Sequence, residues 1–99
     1  MLQIDKNIKR VKTLCRKHNV EKLYLFGSAT NESFTDKSDI DFLVRFEKKD
    51  LNKYFENYIS FKEKLAKLFK REIDLVEEQT LKNPILINSI NKNKELIYG

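Results

Sequence analysis

The sequence predicts an α+β fold in which a small mixed β-sheet carries helices packed on one face. Ninety-nine residues are enough for one hydrophobic core and no second lobe, so we expect a single domain over residues 1–99. Apolar positions switch along the chain between a helical period and a strict alternation. Two glycines, one proline and 11% aromatic residues argue against collagen-like chains, flexible linkers and disorder.

The N-terminal half is predicted to hold one helix and two strands. Apolar residues recur every three or four positions over residues 4–18, which is typical of an amphipathic helix. Cys15 lies on the apolar stripe of this helix, so we expect its thiol to be packed in the core. His18 lies near the helix end, where we expect a capping or dipole contact rather than a ligand or base. The β-prone run 22–26 ends at a glycine-serine turn, and the alternation over residues 39–46 indicates a second strand.

The C-terminal half is predicted to hold two helices and two strands. Helical spacing returns over residues 51–70, with Asp50 as the expected N-cap, and residues 72–76 form a third strand. An asparagine-proline pair predicts the start of a short helix over residues 83–91, because proline suits the first helical position. Residues 95–98 can close the domain as a last strand.

The charge pattern leaves two interpretations open. Twenty Lys and Arg residues against fifteen Asp and Glu residues give a net charge of +5, which would suit nucleic acid. The lysines are scattered along the chain, however, and only four residues are Arg, so we favour a solvated surface without nucleic-acid binding. A lone cysteine forms no intrachain disulfide, and neither a membrane-length apolar run nor a signal-peptide pattern is found. We therefore expect a soluble, cytoplasmic protein without a membrane partner.

A turn and a pair of acids stand out as candidates for chemistry. Gly27 and Ser28 end the first strand, where a glycine backbone and a serine hydroxyl can approach and bind phosphates, although such a dipeptide alone is commonly just a turn. Asp39 and Asp41 are two residues apart in a predicted strand and therefore project from one face. Two anions held this close repel unless a cation lies between them, and Mg²⁺ is the best match to carboxylate ligands.

Asp74 extends this acidic group. It lies in the third predicted strand, on the face opposite the apolar side chains, and we expect a charged residue in a central strand to have a functional reason. If that strand neighbours the second one, Asp39, Asp41 and Asp74 converge, which predicts a two-metal centre for phosphoryl or nucleotidyl transfer. For Asp39 and Asp41, the non-functional alternatives are solvation at a strand edge and a capping role of Asp39 through Ser38.

These residues resemble the signature of the DNA polymerase β-like nucleotidyltransferases: a glycine-serine pair, ten intervening residues and two spaced aspartates. Segments 25–28, 38–44 and 73–76 are similar to those of the minimal nucleotidyltransferases (MNT), and the likeness extends from the first helix to residues 96–98. The resemblance implies the polymerase β-like nucleotidyltransferase fold, in agreement with the predicted elements. It implies Asp39, Asp41 and Asp74 as catalytic, metal-binding residues and Gly27 and Ser28 as nucleotide-binding residues.

The resemblance also implies an activity and a partner. Minimal members are often antitoxins that silence a HEPN-domain ribonuclease toxin by moving AMP from ATP onto a tyrosine, with Mg²⁺ or Mn²⁺. One departure is that residues 29–34 lack the arginine that many members carry after the glycine-serine pair. A second hypothesis is therefore a catalytically weak binding module that neutralises its partner by stoichiometric contact. The acceptor, the nucleotide preference and the choice between homo- and hetero-oligomer stay open.

Overall fold

Helices and strands are interspersed along the chain in the computed structural model, which describes residues 4–27, 35, 38–47 and 53–99, and only the backbone of Asp5. The predicted α+β class with a small mixed sheet is confirmed. In chain order the elements are α1 (Ile4–Lys17), β1 (Val20–Phe26), β2 (Ile40–Phe46), α2 (Tyr54–Phe69), β3 (Ile73–Glu77), a 3-10 turn (Glu78–Thr80), α3 (Pro84–Asn93) and β4 (Glu95–Tyr98).

The four strands form one sheet in the order β3-β2-β1-β4. Strand β1 is antiparallel to both β2 and β4, whereas β2 and β3 run parallel. The expectation that Asp74 lies in a central strand is wrong, because β3 is at the edge of the sheet and Asp74 is exposed. A charge at an exposed position needs no functional explanation. The informative observation is instead that β3, the strand of Asp74, pairs with β2.

Helices α1 and α2 cover one face of the sheet. The inward residues of β1 and β2 alternate with outward ones, and together with Phe61 of α2 they are buried in one core. Phe46 makes edge-on ring contacts with Tyr54 and Phe61, with ring centres 5.5 Å and 6.1 Å apart, respectively. Truncating Phe61 to alanine is expected to cost about 3–5 kcal/mol. This core fixes the position of β2, and the opposite face of that strand carries Asp41, Leu43 and Arg45.

The opposite face carries the alternate residues of the strands. Helix α3 borders it through Ile90, which is buried, and the next residue after the helix, Lys94, places its Nζ 4.3 Å from the centre of the Tyr24 ring. A cavity of about 360 Å³ between α3 and the sheet is lined by Tyr24, Leu43 and Ile90 among others. The two long helices therefore occupy one face, while the short helix borders the other.

The end of α1 is fastened to α2 through His18. Its Nδ1 donates to the Leu14 carbonyl at 2.7 Å, so its Nε2 accepts from the Ser60 hydroxyl at 3.1 Å in the neutral ring. The prediction of a capping contact is confirmed. Cys15 is fully buried, as expected for a core thiol, and burial raises the pKa of its thiol to about 12.

Helix α2 begins at Tyr54, after Lys53, which provides no side-chain cap. The expected N-cap at Asp50 lies outside the described residues. Helix α3 begins as predicted, since the Asn83 side chain accepts a hydrogen bond from the Ile85 amide and Pro84 takes the first helical position. Among the described residues, no helix combines the length and the apolar character needed to cross a bilayer.

Candidate active site

Asp41 is at the centre of a row of three residues across the sheet. It pairs with Phe26 in the antiparallel ladder and with Asp74 in the parallel ladder. Residues that pair directly point to the same side of a sheet, so both carboxylates lie on the face away from α1 and α2. Asp41 is half-buried and Asp74 is exposed. The structure thus brings two of the three predicted aspartates together.

The carboxyl groups of Asp41 and Asp74 are hydrogen-bonded to each other. Burial raises the pKa of Asp41 above its usual range, and the negative charges of Asp74 and Asp39 and the hydrogen bond raise it further. Two adjacent carboxylates are stable without a cation when they share a proton. Replacing that proton with a divalent cation would relieve the same repulsion, so the donor chemistry fits Mg²⁺ or Mn²⁺.

Asp39 lies just before β2 rather than within it, and it is exposed. Its charge still acts on Asp41, which indicates that it lies near the pair. In the part of the chain that is described, no group of three His, Cys, Asp or Glu side chains is arranged to enclose one metal ion. The structure therefore provides a carboxylate pair with Asp39 beside it, and a shared metal site for all three stays a prediction.

Gly27 packs directly against the Asp41 carboxylate. Its φ of 73° lies in the left-handed region, which favours glycine. A Cβ at this position would overlap Oδ2 of Asp41 and lie 3.1 Å from the carboxyl carbon. The glycine was predicted for its approach to phosphates, and the structure adds contact with Asp41 as a second reason. Ser28 and residues 29–34 lie outside the described residues, so the phosphate-binding role of Gly27 and Ser28 stays a prediction.

The backbone around Asp39 is held by a residue that sequence reasoning missed. Arg71 donates to the carbonyls of Thr35 at 2.9 Å and Ser38 at 3.0 Å, and the Ile40 amide donates to the Glu72 carbonyl at 3.1 Å. The two Arg71 contacts join residues 36 and 33 positions apart. No local spacing signals a side chain that binds distant backbone carbonyls, which is why the sequence did not reveal it.

Comparison with known proteins agrees with this arrangement. A family model described as polymerase β, nucleotidyltransferase matches residues 9–99. Two candidate protein adenylyltransferases of Methanocaldococcus jannaschii are 36% and 33% identical to the chain. In each case the match covers 94% of this chain and 98% of the relative.

Solved structures share the fold. A candidate minimal nucleotidyltransferase superposes with a TM-score of 0.77 at 25% identity, covering 93% of this chain and 90% of that one. A toxin–antitoxin complex with AMP-PNP superposes with a TM-score of 0.73 at 23% identity, covering 94% of this chain and 73% of that one. A complex of tri-AMPylated Shewanella oneidensis HEPN toxin with MNT antitoxin superposes with a TM-score of 0.68 at 21% identity. This match covers 98% of this chain and 73% of that one. With the family model spanning nearly the whole chain, this protein belongs to the polymerase β-type nucleotidyltransferase family.

Proposed function

We propose that the chain transfers AMP from ATP to a tyrosine hydroxyl of a partner HEPN ribonuclease toxin and so acts as its antitoxin. The M. jannaschii relatives, which are candidate protein adenylyltransferases, support a protein acceptor. The S. oneidensis complex pairs an AMPylated HEPN toxin with an MNT antitoxin of the same fold. The toxin–antitoxin structure with AMP-PNP supports ATP as the nucleotide.

The observation that carries the proposal is the in-register pair of Asp41 and Asp74 packed beside Gly27. In our proposal Asp39 and Asp41 hold the nucleotide-bound metal, and Asp74 helps to hold the catalytic metal. Bound Mg²⁺ or Mn²⁺ supplies positive charge that offsets the charge of the phosphates during transfer. Ser28 would hold the triphosphate of ATP through its hydroxyl group, and the backbone of Gly27 would allow its close approach.

The proposed transfer moves AMP from ATP to the tyrosine oxygen. The tyrosine oxygen bonds to the α-phosphorus, and the bond from that phosphorus to the oxygen bridging the α- and β-phosphates breaks. Pyrophosphate leaves, and the phenolic proton passes to the Asp74 carboxylate, which must lie within hydrogen-bond reach of the acceptor. Asp74 suits this role because it is exposed at the sheet edge, where a second protein can approach.

Intact-mass spectrometry on a purified HEPN toxin tests this function. With ATP and Mg²⁺, a small amount of the chain should add AMP to a large excess of toxin, and Asp74→Asn should not. Toxin that gains no mass would contradict AMP transfer. Silencing of unmodified toxin only at equal amounts would support the stoichiometric binding module instead.

A further inference from the structure

We propose that Arg71 is a positioning residue that fastens the turn before Asp39 and thereby holds this carboxylate beside Asp41 and Asp74. The inference rests on the proposed metal-dependent transfer. It concerns a residue outside the aspartates and the glycine-serine pair. Arg71 acts here through the backbone, because the atoms that it binds are the carbonyl oxygens of Thr35 and Ser38.

The charge-assisted hydrogen bonds from Arg71 to the Thr35 and Ser38 carbonyls form what we call the Arg71 clamp. A single guanidinium nitrogen, Nη1 of Arg71, donates to both carbonyls, at 2.9 Å to Thr35 and 3.0 Å to Ser38. The turn is also closed from within, because the Ser38 amide donates to the Thr35 carbonyl at 3.1 Å and the Thr35 amide donates to the Ser38 hydroxyl at 3.0 Å. Hydrogen bonds from a charged donor are stronger than neutral ones, so Arg71 is the main external support of this turn among the described contacts.

The end of α2 brings Arg71 to this turn. Lys70 takes a left-handed conformation with φ 55° and ψ 42°, and its amide donates to the Ala66 carbonyl. This helix ending reverses the chain direction directly before Arg71. The next residue, Glu72, accepts from the Ile40 amide at 3.1 Å. Ser38 and Ile40, the two neighbours of Asp39, are therefore both bonded to the Arg71-Glu72 dipeptide.

The same short segment also carries the third carboxylate. Asp74 follows Arg71 by three residues and pairs in register with Asp41. Asp39 precedes Asp41 by two residues, so the charges of Asp39 and Asp74 both lie near the Asp41 carboxylate, and like charges this close repel. An exposed Asp39 on an unsupported turn would move away from the other two. The Arg71 clamp opposes that movement and keeps Asp39 available to a metal ion.

The test measures binding of Mn²⁺ together with AMP-PNP by calorimetry and amide hydrogen exchange by NMR. For Arg71→Ala we expect the apparent Mn²⁺ affinity to fall about 10-fold or more, because charge-assisted hydrogen bonds are lost. The Ser38 and Ile40 amides should exchange faster. Arg71→Lys keeps a charged donor but loses the fixed guanidinium plane that aims it at the two carbonyls, so it should restore part of the affinity. Arg10→Ala, which removes an exposed arginine from α1, is the matched control and should behave as wild type.

Two outcomes would overturn the inference. The first is a folded Arg71→Ala variant with wild-type Mn²⁺ affinity, which would leave Arg71 a purely structural role. If that variant does not fold, Ser38→Ala decides, since it removes the hydroxyl that contacts the amide and the hydroxyl of Thr35 and should weaken Mn²⁺ binding by a smaller factor. Wild-type Mn²⁺ affinity of Ser38→Ala would then contradict the role of this turn. The second is a wild-type protein that binds AMP-PNP without any response to Mn²⁺, which would contradict the metal-dependent function itself and this inference with it.

Discussion

Asp41 and Asp74 lie opposite each other in the parallel ladder between β2 and β3, with their carboxyl groups hydrogen-bonded. Burial, the charges of Asp74 and Asp39, and this hydrogen bond raise the pKa of Asp41. A fold that places two carboxylates in contact stores electrostatic repulsion when both ionise. The pair therefore favours protonation without metal and favours a divalent cation when one is bound, and both properties can be measured.

The first prediction concerns Asp41→Asn. Because the folded pKa of Asp41 exceeds its ordinary value of 3.8, the folded protein binds more protons than the unfolded chain between these two pKa values. Stability should therefore fall as the pH rises through that interval in wild type, and this fall should be smaller in Asp41→Asn. At neutral pH in EDTA the variant should melt at the wild-type temperature or slightly above it, while AMP transfer drops by several orders of magnitude.

Asp74→Asn should behave in the same way, since it removes the other half of the pair. Glu63→Gln is the matched control, because it neutralises an exposed acid on α2, away from the sheet face that carries the aspartates. Thermal melts and transfer assays on the same samples give both quantities. A large loss of melting temperature with transfer preserved would mean that the aspartates stabilise the fold and do no chemistry.

The second prediction concerns Gly27. Gly27→Ala should cost about 1–2 kcal/mol from its positive φ, with a further cost from overlap with Asp41, and Gly27→Val should cost more. Denaturant unfolding measures the loss. If the overlap with Asp41 contributes, the double variant with Asp41→Ala should recover part of the free energy of unfolding. Strictly additive effects of the two substitutions would contradict this packing relationship.

The third prediction concerns His18, the only histidine in the chain. Burial lowers its pKa below 6.5 despite the hydrogen bond to the Leu14 carbonyl, and the nearby charges of Lys64 and Lys17 lower it further. The unfolded chain therefore binds the extra proton first, so stability should decrease as the pH falls below 6.5. An NMR titration of the single imidazole gives its pKa directly. A value at or above 6.5 would contradict this assignment.

The helices and strands could largely be predicted because their apolar periods are local properties of the sequence. The acidic pair could be predicted for the same reason, since Asp39 and Asp41 are only two residues apart in the sequence. The edge position of β3 was not, since strand order depends on how distant segments pair. The contact of Gly27 with Asp41 and the hydrogen bonds of Arg71 to backbone carbonyls were also not predictable, because they join residues far apart in the chain. Local patterns thus identified the acids, and tertiary contacts supplied what holds them.

The last prediction concerns the nucleotide itself. ATP binding measured by calorimetry should require Mg²⁺ or Mn²⁺, because the carboxylates of Asp41 and Asp74 would otherwise repel the phosphates. Ser28→Ala should weaken transfer about 10-fold or more, roughly the loss of one hydrogen bond to a charged group. Ser89→Ala, at an exposed position of α3, is the matched control and should leave binding and transfer unchanged. Equally tight ATP binding in excess EDTA would contradict the metal-dependent site, whereas full activity of Ser28→Ala would contradict the role of its hydroxyl alone.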